Sequence, residues 1–134
     1  MTEEEKKEAT INRIRDLINL QKLLCDSFSE SEFNVFVFGS YPTVRYVPGE
    51  SDADIAVYAN DLETYKKIAL IIEEFFEERD ISLDLFFIDT SNPAPFFLAP
   101  LHAQIQLTDY FPGELKLFEQ KCANELAKIK RNIA

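Results

Sequence analysis

The stretch "FNVFVFGSYPTVRYVPGESDADIAVYA", residues 33–59, decides how this chain is read. It opens as an apolar run, Phe33 to Phe38, with the length and composition of a buried strand, and Gly39 ends it. A polar, irregular segment leads to Ser51-Asp52-Ala53-Asp54, and Ala53 to Ala59 is a second apolar run. Side chains two apart in a strand share a face. Asp52 and Asp54 are therefore expected together at the start of the second strand, with Ala53, Ile55 and Val57 turned to the core. Two carboxylates that close repel each other unless a cation sits between them. Mg²⁺ is the natural candidate, because it prefers hard carboxylate oxygens and keeps positions open for water and phosphate oxygens.

The neighbourhood supplies the rest of such a site. Ile81 to Asp89 reads as a third strand with Asp84 in its middle. Asp is depleted in strands, and a buried charge without a partner is costly. If the second and third strands are neighbours, Asp84 lies beside Asp52 and Asp54, and three carboxylates can bind one or two metal ions. Before the loop, Gly39 lets the backbone approach a phosphate closely. The Ser40 hydroxyl and nearby N–H groups can donate to phosphate oxygens. Arg45 offers a positive charge in the same loop, or a partner for Glu50.

Working outward, apolar residues between Glu3 and Asp26 (Ile11, Ile14, Leu17, Ile18, Leu20 and Leu24 among them) recur at helical spacing. Asp61 to Glu78 is a second helix, capped by Asn60 or Asp61, with Leu62, Ile68, Ile71, Ile72 and Phe75 as its apolar face. The Pro-containing SNPAP segment is a loop. LHAQIQLT, residues 101–108, alternates strictly and predicts a half-buried fourth strand: Leu101, Ala103, Ile105 and Leu107 inward, His102, Gln104, Gln106 and Thr108 outward. Glu114 to about Asn132 is a last helix, with Leu115, Phe118, Cys122, Leu126 and Ile129 inward and a basic end that suits a helix C-terminus. The order helix, strand, strand, helix, strand, strand, helix implies an α/β (α+β) fold: a mixed four-stranded sheet with helices packed over it.

Composition bounds the rest. A chain of 134 residues suits one domain, 1–134, around one core. Its 46 % hydrophobic and 13 % aromatic content favours a packed fold over disorder. No apolar run approaches the ~20 residues that span a bilayer. The charged start MTEEEKKEAT lacks a signal-peptide core, so a cytoplasmic location is expected. Cys25 and Cys122 lie far apart and read as reduced, mostly buried thiols. A formal net charge of −10 disfavours polymeric nucleic acid as a partner, since phosphates must be neutralised. A basic protein or a metal-bound phosphate ligand is compatible with it.

Gly39-Ser40, a loop, Asp52-x-Asp54 on the next strand and a lone Asp84 on a third together resemble the nucleotidyltransferase fold shared with the beta-type DNA polymerases. The short length resembles the minimal nucleotidyltransferases, many of them antitoxin-like proteins that act with a helical partner toxin. The resemblance covers residues 33–89 well and the flanking helices loosely. It implies metal-dependent transfer of a nucleoside monophosphate, AMP from ATP or another nucleoside triphosphate, to a hydroxyl acceptor. Asp52 and Asp54 would hold Mg²⁺ or Mn²⁺. Asp84 would complete the site and help activate the acceptor. Gly39, Ser40 and Arg45 would position the phosphates. The small members often continue Gly-Ser with a small residue, then a basic residue and glycine. Here Tyr41-Pro42-Thr43-Val44-Arg45 follows, a stiffer loop. The other reading the resemblance allows is a catalytically weak, antitoxin-like module that neutralises a helical partner protein.

Blander readings stand beside these. Gly39 can simply end a strand, Ser40 can cap a helix, Ser51 to Asp54 can be a solvated turn, and Asp84 can face water from an edge strand. Asp52, Asp54 and Glu63 fall at EF-hand positions one, three and twelve, but the sixth position requires Gly and here is Val57. His102 reads as a strand surface residue. Phe75-Phe76, Phe86-Phe87 and Phe96-Phe97 are mostly core, although Phe96-Phe97-Leu98, between prolines, is harder to bury and suggests a partner surface.

Overall fold

A computed structural model describes residues 1–133. Its elements run α1 (Glu3–Ser27), β1 (Phe33–Phe38), β2 (Ala53–Ala59), α2 (Leu62–Glu78), β3 (Leu83–Phe87), a 3-10 turn (Pro95–Phe97), α3 (Leu98–Leu101), β4 (Ile105–Gln106) and α4 (Gly113–Ile133). The four-stranded sheet has the order β3-β2-β1-β4. β1 pairs antiparallel with β2 and β4, and β2 pairs parallel with β3. The expected mixed sheet under helices is what forms. None of the described helices is long and apolar enough to cross a membrane.

The helix starts follow from local chemistry. Thr2 and Glu5 form a reciprocal capping box at α1, each side chain accepting the other's backbone N–H at 3.1 Å. At α2 it is Asp61, not Asn60, that caps, accepting the Thr64 N–H at 2.7 Å. The C-terminal end of α2 turns through Asp80 at φ 55, in the left-handed region, while the Ile81 N–H reaches back to the Phe76 carbonyl at 3.0 Å.

The sheet divides the core in two. Val35, Val37, Ile55 and Val57 face α1 and α2, where they meet Leu17, Leu20, Leu24, Ile68, Ile72 and Phe76. Phe36, Ala56 and Tyr58 face the other way and are covered by Leu101, Leu115, Phe118 and Cys122. This two-sided burial explains why β1 and β2 read as continuous apolar runs rather than alternating ones.

Several expectations need correction. The fourth strand is only Ile105–Gln106. Pro95 opens a 3-10 turn that runs into α3, and Leu101 is buried as the end of that helix, so part of the alternation is accidental. Pairing with β1 continues past the strand through the Leu107 N–H to the Val35 carbonyl, at 2.9 Å. Thr108 is buried, not outward, because its hydroxyl donates to the Phe33 carbonyl at 2.6 Å. In α1 only Leu17, Leu20, Leu24 and Thr10 are buried, and Ile11, Ile14 and Ile18 are exposed, because a single face of the helix meets the sheet. In α4 burial stops at Cys122 and Ile129 is exposed, since the helix runs on beyond the face it covers.

His102 stands at the C-terminal cap of α3 rather than on a strand, exposed, with Nε2 2.9 Å from Glu119 Oε1. Both cysteines are free; Cys122 is buried and Cys25 half-buried, its thiol pushed up to about 11 by burial and by Glu30 beside it. A thiol held that high is a poor nucleophile.

Candidate functional site

Register brings the carboxylates to one edge. Asp54 and Asp84 are directly paired residues of the parallel strands β2 and β3. Across β2, Asp54 is also the partner of Phe38, the last residue of β1. Gly39 follows immediately, at φ 71. A Cβ at Gly39 would lie 2.1 Å from Asp54 Oδ2, so only glycine fits beside this carboxylate.

Asp54 is half-buried and Asp84 exposed. Burial raises the Asp54 carboxyl above the usual range. The charges of Asp84 and Asp52 raise it further, as does a hydrogen bond with Asp84. Two carboxylates brought side by side in this way are a pair of hard oxygen donors of the kind a divalent cation bridges.

Asp52 stands apart from them. It precedes β2, is half-exposed, and lines a cleft of about 790 Å³ with Tyr46, Glu73, Phe76, Glu77 and Leu83. That cleft lies on the α2 side of the sheet, opposite Asp54 and Asp84. Asp52 is close enough to act on Asp54 through charge. Among the described residues, however, no group of three Asp, Glu, His or Cys is arranged to hold a metal ion. The Asp54–Asp84 pair fits a divalent cation, and Asp52 lies near enough to Asp54 to act on it through charge.

The loop between the strands is tightly held. No helix starts at Ser40; the segment folds as turns. The Ser40 carbonyl accepts from the Thr43 N–H at 2.9 Å and from the Thr43 hydroxyl at 2.8 Å. Arg13 of α1 fastens the loop from outside, donating from Nε to the Tyr41 carbonyl at 3.0 Å and from Nη2 to the Thr43 carbonyl at 2.9 Å. Its guanidinium lies 4.6 Å from the centre of the Tyr46 ring. Tyr41 is buried edge-on against Tyr46 and Phe76, and burial pushes its phenol up to about 12. Further on, Ser51 closes the loop onto Val47, accepting the Val47 N–H at its hydroxyl and donating its own N–H to the Val47 carbonyl. Arg45 is exposed and forms no ion pair among the described residues, with Glu50 or any other carboxylate.

Sequence reasoning missed two features. Arg13 carries no local signal, since one Arg among the charges of α1 looks solvated; only the fold reveals its reach to the loop. The second is an aromatic group on the carboxylate face. Phe38 and Phe86 lie 6.0 Å apart, and Phe96 sits 6.1 and 4.9 Å from them between ring centres. Phe97, beside it, turns inward against Phe118.

Residues 17–112 match the family model of the nucleotidyltransferase domain. No curated protein matches the chain. Among solved structures, a chain of a toxin-antitoxin crystal structure with AMP-PNP is 23 % identical, with a TM-score of 0.49 over 92 % of this chain and 98 % of that one. A chain of the tri-AMPylated Shewanella oneidensis HEPN toxin in complex with MNT antitoxin is 21 % identical, with a TM-score of 0.47 over 93 % and 99 %. One from the toxin-antitoxin MntA-HepT is 20 % identical, with a TM-score of 0.45 over 91 % and 97 %.

Proposed function

The chain belongs to the nucleotidyltransferase domain family, and from that premise we propose that it transfers a nucleoside monophosphate, AMP from ATP, to a hydroxyl acceptor. The observation that carries this reading is the meeting of Asp54 and Asp84 at one register position, beside a glycine that leaves Asp54 room. Asp54 and Asp84 would hold Mg²⁺ or Mn²⁺, with Asp52 as a further ligand. A cation held there supplies Lewis acidity to the phosphoryl oxygens and offsets their developing charge.

The residues of the chain supply positioning and a proton acceptor. The Ser40 hydroxyl and the N–H groups after Gly39 grip the terminal phosphates, on a loop that Arg13 and Tyr41 keep rigid. Arg45, exposed in the same loop, would add positive charge for them. The acceptor oxygen bonds to the α-phosphorus, its proton passes to the Asp84 carboxylate, and the bond from the α-phosphorus to the bridging oxygen breaks, releasing pyrophosphate. Asp84 suits that role because it is exposed where Asp54 is not.

Incubation with α-labelled ATP, Mg²⁺ and a cell lysate tests this directly. Label should pass to a distinct acceptor with the parent protein and not with Asp54→Asn. A parent that labels nothing and releases no pyrophosphate, or an Asp54→Asn variant with full turnover, sinks the assignment.

One observation favours the second reading, an antitoxin-like binding module. Ile11, Ile14 and Ile18 form an exposed row on α1, and the groove between α1 and β4 is lined by Ile14, Ile18, Ile105 and Leu107. A helical partner protein seated there would be either the acceptor or the sole target. An Asp54→Asn variant that still neutralises such a partner would assign the function to binding alone.

A further inference from the structure

Among the described residues, Phe96 is the one exposed aromatic, at 45 %. Its position is not accidental. The chain reaches it through Ala94 in extended conformation and Pro95 at the first position of a 3-10 turn, and proline fixes the backbone there. The ring leans on Phe86 and Phe38, both half-buried, while Phe97 anchors the same turn from below against Phe118.

This cluster and the carboxylates share one face of the sheet. Phe38 is the antiparallel partner of Asp54, and directly opposed residues point the same way. Phe86 follows Asp84 by two positions and so lies on its side of β3. Seen on that face, the first row is Phe38, Asp54, Asp84 and the next is Phe36, Ala56, Phe86. Phe96 packs against one ring of each row, Phe38 in the first and Phe86 in the second. The carboxylates thus have the Gly39–Ser40 loop at the strand end and an aromatic shelf along the sheet.

A nucleoside triphosphate is built the same way: a charged tail, a reacting α-phosphate and a flat, apolar base. We infer that Phe96, supported by Phe38 and Phe86, is the platform on which the nucleobase stacks while the phosphates lie against Gly39 and Ser40. This rests on the nucleotidyl-transfer reading. It adds the residue that holds the nucleoside, and a specificity: stacking accepts every base through its π-face and favours the larger purines. A row of aromatic rings with no hydrogen-bonding group among them discriminates by size and not by base edge.

Phe96→Trp provides the test, because the chain has no tryptophan of its own. Mg²⁺ with ATP, with CTP, or with inorganic tripolyphosphate is titrated into this variant, followed by indole fluorescence. The same three ligands are titrated into the parent and Phe96→Ala, followed by calorimetry. ATP should change the indole emission and tripolyphosphate should not. ATP should bind more tightly than CTP. Phe96→Ala should weaken ATP about tenfold while tripolyphosphate binds as it does to the parent. A parent that binds neither ATP nor tripolyphosphate overturns the nucleotide site itself, and the platform with it. A parent that binds ATP, beside a Phe96→Ala variant that binds it equally well or loses tripolyphosphate in equal measure, overturns the platform alone. A Phe96→Ala variant that binds ATP as the parent does would leave the exposed ring as a contact surface for a partner protein.

Discussion

Gly39 stands so close to Asp54 that a methyl group on it would lie 2.1 Å from the carboxylate oxygen. Two independent constraints meet at this glycine, since its φ of 71 is also in the left-handed region. Gly39→Ala should lose about 1–2 kcal/mol from the backbone alone and should also push the Asp54 side chain out of register with Asp84. Thermal melts with and without Mg²⁺ and ATP separate the two effects. The expected result is a lower melting temperature together with a diminished shift on adding nucleotide. A variant that melts lower yet keeps the whole nucleotide shift would show that the close approach matters to the turn only.

Arg13 and the loop it holds give the second prediction. Its guanidinium donates to two loop carbonyls at once, so Arg13→Ala leaves both without that partner and should cost about 1–3 kcal/mol. Arg13→Lys should recover only part, because an ammonium lacks the planar fork. The Thr43 and Tyr46 amides, bonded within the loop, should exchange hydrogen faster in Arg13→Ala than in the parent. Exchange that stays unchanged would mean Tyr41 alone secures the loop.

What was legible in the sequence follows from the range of the interactions concerned. β1, β2 and α2 carry their signals locally, in continuous apolar runs and in the Asp61 cap, and they form where expected. The residues 101–108 misled because burial alternates there across a helix end and a short strand, which periodicity alone does not distinguish. The pairing of Asp54 with Asp84 was reachable only by supposing that β2 and β3 are neighbours. Asp52 lies one residue before the strand, where a two-residue period no longer fixes its face, and it lines the cleft on the α2 side. Arg13 and Phe96 act across long sequence separations, so nothing near them in the chain announces their partners.

The third prediction concerns pH. Arg79 ends α2, grips Asp16 of α1 with both Nε and Nη2, and lies 3.6 Å over the Phe75 ring. The Arg79 hydrogen bonds hold the Asp16 carboxyl below its usual range. A depressed acid contributes stability that is present above its unfolded pKa and lost as pH falls through the folded one. The pair is partly exposed, so after solvent screening it should be worth about 1 kcal/mol or less. Urea titrations of the parent should therefore show a loss below the ordinary Asp range that Asp16→Asn lacks, and the difference should shrink at high salt. Parallel pH profiles for the two proteins would remove the pair from the stability of the fold.

The last prediction turns on Asp84. Side by side with Asp54, it adds negative charge to a carboxyl that burial already disfavours as an anion. Without metal, Asp84→Asn relieves that repulsion and keeps a polar group able to donate to Asp54, so the variant should melt at the parent's temperature or above. With Mg²⁺ and ATP the order should reverse. A ligand that binds only the native state stabilises it by mass action, and the parent, with both carboxylates, should gain the larger shift. Transfer should fall about 10²–10⁴-fold in the variant, the range expected for losing a general base. Asp84→Glu serves as the control, since it keeps the charge and moves it by one methylene; it should show the parent's metal-free melting and an intermediate rate. Melts of the three proteins, each alone and with metal and nucleotide, decide the matter. An Asp84→Asn variant indistinguishable from the parent in every condition would mean that Asp84 only faces water from the edge strand, and the site would then rest on Asp54 and Asp52.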